Sequence, residues 1–87
     1  MSAIIIYTTN SCPYCHAAKE LLTLKKAAYE EIDVTGNPEL RAKMTEKAGG
    51  ITSVPQIFIN GQHIGGCDDL YNLEKQAKLD PLLTAAG

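Results

Sequence analysis

The chain has 87 residues with a formal net charge of −2, of which 45% are hydrophobic and 21% are charged. These values are those of one ordinary globular domain with a single small core, so we treat residues 1–87 as one domain. The basic residues are scattered among acids, which argues against nucleic acid or an anionic membrane surface as a partner.

The cysteine count and the hydropathy pattern indicate the compartment. Three cysteines, an odd number, do not resemble the disulfide framework of a small secreted protein. No apolar run approaches the roughly 18 residues of a membrane span. The first residues show neither a charged lead-in nor a long apolar segment, so we expect no signal peptide. A reducing, cytoplasmic compartment fits these features best.

The first half of the chain alternates between strand and helix patterns. Residues 3–8 form a first strand, roughly 13–27 a first helix, and 28–34 a less distinct second strand. A strand, a helix and a strand within about 30 residues form a right-handed parallel unit. A second helix runs from 38 to about 47 and is ended by Gly49-Gly50.

A hairpin and two helices complete the chain. The third strand is Gln56-Ile57-Phe58-Ile59, and Asn60-Gly61 is a strong hairpin signal, so the fourth strand, 62–64, runs antiparallel to it. A third helix opens at Cys67, and Asp80-Pro81 caps a short final helix that ends with the chain. The order βαβ-α-ββα predicts an α/β fold, a four-stranded mixed sheet flanked by helices. Open α/β sheets place binding sites at the carboxyl ends of their strands.

Two cysteines stand where the first strand gives way to the first helix. Cys12 precedes Pro13, a residue suited to the first helical position, and Cys15 follows one turn later. Residues three apart on a helix lie on one face at roughly 5–6 Å, within disulfide range. The unpaired N–H groups and the positive end of the helix dipole favour a thiolate at Cys12. The pattern indicates a redox dithiol with Cys12 and Cys15 as catalytic residues.

Three alternatives remain open for this motif. A structural zinc site needs four ligands, and His16, His63 and Cys67 would have to be brought in by the fold. The Cys-x-x-Cys-His run also matches c-type haem attachment, which requires export and a mostly helical chain. Finally, both cysteines could be inert core residues. The adjacent βαβ pattern favours the redox dithiol, and we expect no metal.

Two further segments are candidates for a binding site. Pro55 cannot donate to a sheet ladder, so it is either a strand-entry proline or part of a cis bond that presents the Val54 backbone to an extended peptide. The stretch Gly65–Asp69 is a glycine turn into a helix N-terminus, an arrangement that binds anions. In one interpretation, Asp68 and Asp69 both complement the helix dipole. Alternatively, one of the two carboxylates, together with the helix N–H groups, binds both ends of a zwitterion.

Three other side chains have a plain and a functional interpretation. Cys67 is either a packing residue or a third thiol near the site. His16 follows Cys12 by four residues and either supports its thiolate or is exposed. We expect His63 to be a surface residue of the hairpin.

With these pieces in order, the sequence closely resembles the glutaredoxins, in particular their small bacterial dithiol type. The matching motifs are Cys12-Pro13-Tyr14-Cys15, the segment Ser53–Ile59 and the segment Gly65–Leu70, and the likeness covers nearly the whole chain. The resemblance implies a thioredoxin fold, a cis Val54-Pro55 bond and a glutathione-dependent thiol–disulfide oxidoreductase. Such an enzyme reduces protein disulfides with both cysteines and glutathione mixed disulfides with Cys12 alone.

The resemblance also implies the co-substrate, the partners and the residues that bind glutathione. Glutathione is the co-substrate, no cofactor is permanently bound, and a monomer acts on disulfide-containing or glutathionylated proteins. The tripeptide lies extended beside Pro55, pairs with the backbone of Val54, and has its γ-glutamyl end at the third helix and its glycine carboxylate near Arg41. The binding residues implied in this way are Tyr14, Arg41, Ser53, Val54, Pro55, Gly66, Cys67 and Asp68.

Two departures from the family pattern bear on the thiolate. Thr9 stands where many members carry a lysine, which removes a cation that would stabilise Cys12, and Ser53 stands where threonine is commoner. The helix N-terminus, with His16 or Lys19, would then stabilise more of the thiolate.

The resemblance adds one alternative function. Some relatives form a dimer that holds a [2Fe–2S] cluster through the residue matching Cys12 and two glutathiones. Pro13 stiffens the loop and is absent from relatives built for clusters, so the oxidoreductase is the preferred interpretation.

Overall fold

The structure is a computed structural model that describes residues 3–84. Strands and helices occur in the predicted order along this part of the chain. The elements are β1 Ile4–Thr8, α1 Pro13–Leu24, β2 Glu30–Asp33, α2 Pro38–Lys47, β3 Gln56–Ile59, β4 Gln62–Gly65, α3 Cys67–Lys75 and α4 Leu79–Thr84.

The four strands form one mixed sheet in the order β2-β1-β3-β4. Strand β1 is parallel to β2 and antiparallel to β3, and β4 is antiparallel to β3. The predicted four-stranded mixed sheet with flanking helices is therefore confirmed. No helix within residues 3–84 is long and apolar enough to cross a membrane.

Side chains that alternate along the central strands build a core on each face of the sheet. Ile4 and Ile6 of β1 pack with buried residues of α1, α3 and α4. On the other face, Tyr7 packs with Phe58 and with Met44 of α2. Successive strand residues point to opposite faces, and a buried central strand therefore reads as the continuous apolar run seen in β1.

Helix α1 ends earlier than its composition predicts. The pattern predicted a helix to about residue 27, but the last helical residue is Leu24. Lys26 adopts φ 56°, and its N–H donates to the Thr23 carbonyl at 2.9 Å, while the Ala27 N–H donates to the Leu22 carbonyl at 3.0 Å. This left-handed turn closes the helix, although lysine is not a residue that typically marks such a turn.

Some other boundaries differ from the predicted ones by one or two residues. Strand β2 covers Glu30–Asp33 instead of 28–34, and β4 extends through Gly65. Helix α4 begins at Leu79, one residue before the predicted Asp80-Pro81 cap. The predicted end of this helix at the chain terminus lies outside the described residues.

The hairpin between β3 and β4 has the predicted turn. Asn60 and Gly61 have φ of 53° and 80°, the positive values that a tight two-residue hairpin turn requires. The Asn60 N–H donates to the Ala3 carbonyl at 2.7 Å, and its side chain accepts from the Ala3 N–H at 2.8 Å. The turn is thereby tied to the start of β1.

Strand directions bring three segments to one edge of the sheet. Strands β1 and β4 run the same way and β3 runs the opposite way. The carboxyl ends of β1 and β4 and the start of β3 consequently lie at the same edge. That edge carries the Cys12 turn, the Val54-Pro55 segment and the start of α3.

Candidate active site

Cys12 occupies the N-cap position of α1. Its backbone is extended, with φ −102° and ψ 108°, and Pro13 follows in the first helical turn. The Cys12 sulfur accepts a hydrogen bond from the Cys15 N–H at 3.1 Å. A sulfur in this position receives an N–H that the helix leaves unpaired, as the sequence pattern predicted.

Cys15 lies one turn further along, on the buried face of α1. It is 1% exposed, whereas Cys12 is 9% exposed. Burial, followed by the hydrogen bond with the Cys12 sulfur, raises the pKa of Cys15 from 9.0 to about 12. The Thr9 backbone and the charge of Lys19 act in the opposite direction, lowering this pKa. The two thiols therefore differ sharply in their surroundings.

The Val54-Pro55 peptide bond is cis, as the resemblance implies. The Cys12 thiol lies 3.8 Å from the Val54 carbonyl oxygen, within hydrogen-bonding range for sulfur. The Val54 N–H donates no backbone hydrogen bond within residues 3–84. This segment therefore offers backbone groups immediately beside the first cysteine.

An open cleft of about 270 Å³ adjoins the Cys12 turn. Of the residues predicted to bind glutathione, seven line it: Tyr14, Ser53, Val54, Pro55, Gly66, Cys67 and Asp68. Tyr14 is largely exposed at its edge. The topology thus gathers residues from three separate motifs around one cleft.

The start of α3 forms one wall of this cleft, and its two acids have different roles. The Asp69 carboxylate accepts a hydrogen bond from the Gly66 N–H at 3.0 Å and so caps its own helix. Asp68 makes no side-chain hydrogen bond or ion pair within residues 3–84. Of the two carboxylates, Asp68 is therefore the one available to a ligand in the cleft.

Gly65 is required for this arrangement. It adopts φ +117°, and a Cβ at this position would collide with the Asp69 carboxylate. A Cβ on Gly66 would lie 3.4 Å from the Pro55 carbonyl oxygen. A Cβ on Gly66 would therefore make only an ordinary van der Waals contact, and it is Gly65 whose missing side chain leaves room for the Asp69 carboxylate.

Arg41 lies outside the cleft. Its guanidinium donates from Nε and Nη2 to the Thr52 carbonyl oxygen at 3.2 and 2.9 Å. It lines a separate shallow depression with Val34, Gly36, Asn37 and Pro38. Thr52 precedes Ser53, so Arg41 supports the loop that leads into the cleft. Its predicted contact with a glycine carboxylate stays a prediction.

The two side chains expected to assist the Cys12 thiolate, His16 and Lys19, lie in different surroundings. His16 is exposed on α1. Lys19 forms an ion pair with Glu31, with Nζ 3.0 Å from Oε2.

Cys67 is 8% exposed, and burial together with the nearby Asp68 charge raises its pKa. All three cysteines are free thiols.

Sequence reasoning missed a buried polar network beneath the cleft. Gln56 is 2% exposed and donates to the Ser53 carbonyl at 3.0 Å, while its Oε1 lies 2.7 Å from His63 Nε2. The His63 ring also lies 5.0 Å from the Phe58 ring. His63 is half-buried and not a freely exposed residue of the hairpin, because the two-residue turn pairs it directly with Phe58. That register was readable from Asn60-Gly61.

Within residues 3–84, no three or more His, Cys, Asp or Glu side chains are grouped so as to hold a metal ion.

Comparison with known proteins supplies the family. A sequence model described as glutaredoxin matches residues 4–64. The chain is 52% identical to glutaredoxin 3 of Escherichia coli strain K12 over 83 residues, which cover 95% of this chain and 99% of that protein. The solution structure of a Brucella melitensis glutaredoxin is 57% identical, with a TM-score of 0.81, over 93% of this chain and 87% of the other.

A structure solved with a ligand is also similar. The crystal structure of a buckwheat glutaredoxin–glutathione complex has a TM-score of 0.86 and 30% identity, over 95% of this chain and 77% of that one. Its fold, together with the family match and the two cysteines beside the cis-proline cleft, agrees with the predicted thioredoxin fold. The chain belongs to the glutaredoxin family, and its family activity is that of a thiol–disulfide oxidoreductase.

Proposed function

We propose that the protein is a glutathione-dependent oxidoreductase that reduces protein disulfides with both Cys12 and Cys15, and glutathione mixed disulfides with Cys12 alone. The observation that carries this proposal is the contact of the Cys12 sulfur with the cis Val54-Pro55 segment, which lines one cleft together with the start of α3. We further propose that it acts as a cytoplasmic monomer, with disulfide-containing or glutathionylated proteins as partners.

The proposed first step uses the more accessible sulfur. The Cys12 thiolate attacks one sulfur of the substrate disulfide, forming a mixed disulfide while the other substrate sulfur leaves as a thiolate and takes up a proton. For a glutathionylated protein, the leaving group is the reduced protein thiol. A second glutathione then attacks the Cys12 mixed disulfide, which releases glutathione disulfide and restores Cys12.

Reduction of a protein disulfide needs the second cysteine. Cys15 loses its proton and attacks the Cys12 sulfur, so that the Cys12–Cys15 bond forms as the bond to the substrate breaks. The substrate gains two electrons and the protein pair loses them. Two glutathiones then reduce the Cys12–Cys15 disulfide and leave as glutathione disulfide.

The cleft has groups suited to each part of glutathione. An extended peptide can pair with the free N–H of Val54 in the manner of an added strand. Gly66 has no side chain to cap α3, so the first N–H groups of this helix are available to the γ-glutamyl carboxylate. Asp68 can bind the α-ammonium group of the same residue. Tyr14, Ser53, Pro55 and Cys67 supply the remaining surface.

Arg41 would act on glutathione from outside the cleft. Its guanidinium is held at the Thr52 carbonyl, and we propose that it attracts the glycine carboxylate of glutathione from there.

Two serine variants test the proposed division of roles. Cys12→Ser should lose activity on both a glutathionylated peptide and a protein disulfide such as that of insulin, with glutathione as the reductant. Cys15→Ser should retain activity on the glutathionylated peptide and lose most activity on the protein disulfide. Cys67→Ser changes the third cysteine and keeps both reacting sulfurs, so it should retain both activities, with at most a change in the KM for glutathione. Equal loss in Cys12→Ser and Cys15→Ser on the glutathionylated peptide would overturn the proposal.

A further inference from the structure

Cys15 must act as a nucleophile although its surroundings favour the protonated thiol. It is 1% exposed and lies on the same buried face of α1 as Ala18 and Leu22. Only a thiolate attacks a disulfide sulfur. The intramolecular step therefore requires a source of stabilisation for negative charge at a nearly dry sulfur.

One cation lies on the same helix, about one turn beyond this sulfur. Lys19 follows Cys15 by four residues on α1, so the two side chains lie on the same side of the helix. The Lys19 side chain is 22% exposed and makes its ion pair with Glu31 of β2. The ion pair holds the Lys19 side chain against strand β2.

The ion pair is itself anchored in the sheet. The buried Thr8 hydroxyl donates to the Glu31 carboxylate at 2.7 Å, to the same oxygen that receives Lys19. Thr8 ends β1, and the backbone of the next residue, Thr9, lowers the pKa of Cys15. The lysine, the carboxylate and the buried sulfur are thus connected through the end of one strand.

We infer that Lys19, held by Glu31 and Thr8, is a positioning residue that acts through Cys15 and promotes its attack on the Cys12 mixed disulfide. This inference rests on the proposed function. In that step the Cys15 proton leaves, the Cys12–Cys15 bond forms, and the substrate sulfur departs as a thiolate that is then protonated. The Lys19 ammonium neither gives up a proton nor contacts the substrate.

The electrostatic relations agree with this assignment. The charge of Lys19 lowers the pKa of Cys15, against the dominant effect of burial. The hydrogen bond to Glu31 raises the pKa of Lys19, with smaller contributions from Tyr29 and Cys15, so Lys19 stays charged. The hydrogen bonds from Thr8 and Lys19 lower the pKa of Glu31. The positive charge near Cys15 is therefore maintained through the neutral range.

The sequence suggested a different target for this lysine. Lys19 was expected, with His16, to support Cys12 in place of the missing lysine at Thr9. The structure instead gives Lys19 the spacing and the anchoring that suit the second sulfur.

The test separates the two chemical steps by stopped-flow mixing of the reduced protein with an excess of a small aryl disulfide. Attack by Cys12 is second order and releases one aryl thiol, whereas closure of Cys12–Cys15 is first order and releases the other. Lys19→Met should leave the first rate within about twofold and slow the second roughly threefold. A tenfold loss of thiolate is partly offset because a more basic thiolate is more nucleophilic.

The pH profile gives a readout that a merely structural role would not move. In Lys19→Met the closure rate should rise with pH along a curve displaced to higher pH, and at strongly alkaline pH it should reach and slightly exceed the rate of the unmodified protein, because its thiolate is the more nucleophilic. Lys19→Arg keeps the charge and should stay within about twofold at pH 7. Lys43→Met, on the exposed face of α2, controls for the change in net charge. Thermal unfolding confirms that each variant is folded.

The outcomes distinguish this inference from the proposed function. If Cys12 reacts normally and closure is unchanged in Lys19→Met, or if Lys19→Arg is as slow as Lys19→Met, the inference fails while the proposed function stands. If the unmodified protein shows no reaction at Cys12, the proposed function itself fails. In a Cys15→Ser background, Lys19→Met should not alter the reduction of a glutathionylated peptide, and a loss there would also contradict the inference.

Discussion

Cys12 and Cys15 are separated by one helical turn, yet they occupy different environments. Cys12 is the N-cap residue, beside an open cleft, and its sulfur receives an N–H from the backbone. Cys15 belongs to the apolar stripe of α1, and burial raises its pKa to about 12. The comparison shows that an amphipathic helix can divide the roles of two identical side chains by their position on its surface.

The difference has a simple geometric origin. A residue at the N-cap lies before the first turn and faces unpaired N–H groups, whereas a residue three positions later falls on the face that the helix buries. Pro13 starts the helix immediately after Cys12 and so assigns these two positions. At the edge of the sheet, the Val54 carbonyl oxygen lies beside the Cys12 sulfur and not beside the Cys15 sulfur.

The largest expected effect comes from disrupting the cleft on the Cys12 side. Gly65→Ala forces a Cβ into the Asp69 carboxylate at a positive φ. We expect a loss of about 2–4 kcal/mol in the free energy of unfolding, together with a raised KM for glutathione. Gly36→Ala is the matched control, because its φ is also positive but nothing lies within 4 Å, and it should cost about 1–2 kcal/mol. Equal losses in urea unfolding would show that the cap at Asp69 has no part in shaping the cleft.

The environment of Cys15 predicts a dependence of stability on pH. Its folded pKa lies above the ordinary value of 9.0, so folding favours the thiol. This contribution is fully present below about pH 9 and is lost as the pH rises toward 12. Urea unfolding of the reduced protein should show a decline over this range that exceeds the decline of Cys15→Ala by about 4 kcal/mol, at about 1.4 kcal/mol per pKa unit. A parallel decline in both proteins would contradict the asserted burial of the thiol.

Substitutions of Asp68 and Asp69, the two acids at the start of α3, should have different effects. Asp69→Asn removes the charge that accepts the Gly66 N–H and should cost about 1 kcal/mol of stability. Asp68→Asn should leave stability within about 0.5 kcal/mol but raise the KM for glutathione about fivefold, as expected for one charged contact. Steady-state kinetics and thermal unfolding of both variants provide the measurements. A loss of stability in Asp68→Asn with a raised KM in Asp69→Asn would contradict the roles assigned to the two carboxylates.

The smallest effect is expected at His16. Its side chain is exposed, and the residue's hydrogen bond to Cys12 comes from the backbone N–H, at 3.3 Å. His16→Gln should therefore leave the alkylation rate of Cys12 at pH 7 within about twofold. A tenfold decrease would mean that the imidazole supports the Cys12 thiolate.

The sequence predicted the parts of the site that depend on local chemistry. Pro13 after Cys12 predicted the N-cap position, and Asn60-Gly61 predicted the hairpin that returns the chain to the sheet edge. Once the strand directions are known, the meeting of Cys12, Pro55 and Gly66 follows from topology.

The features that were missed depend on long-range packing. No local pattern indicates that Arg41 turns to the Thr52 carbonyl, since that contact depends on the path of the loop after α2. The sequence also does not predict the left-handed conformation of Lys26 at the end of α1, because lysine is not a residue typical of that conformation. The partnership of Lys19 with Glu31 joins a helix to a strand that pairs with its neighbour only in the folded sheet.

The most direct test of the asymmetry is competitive alkylation of the reduced protein at pH 7, with each cysteine followed by mass spectrometry. Cys12 should be labelled first and roughly a hundredfold faster than Cys15, since a thiol whose pKa is about 12 holds little thiolate and gains only part of that loss back in nucleophilicity. In denaturant all three cysteines should react alike. Equal labelling of Cys12 and Cys15 in the folded protein, or earlier labelling of Cys15, would contradict the division of roles.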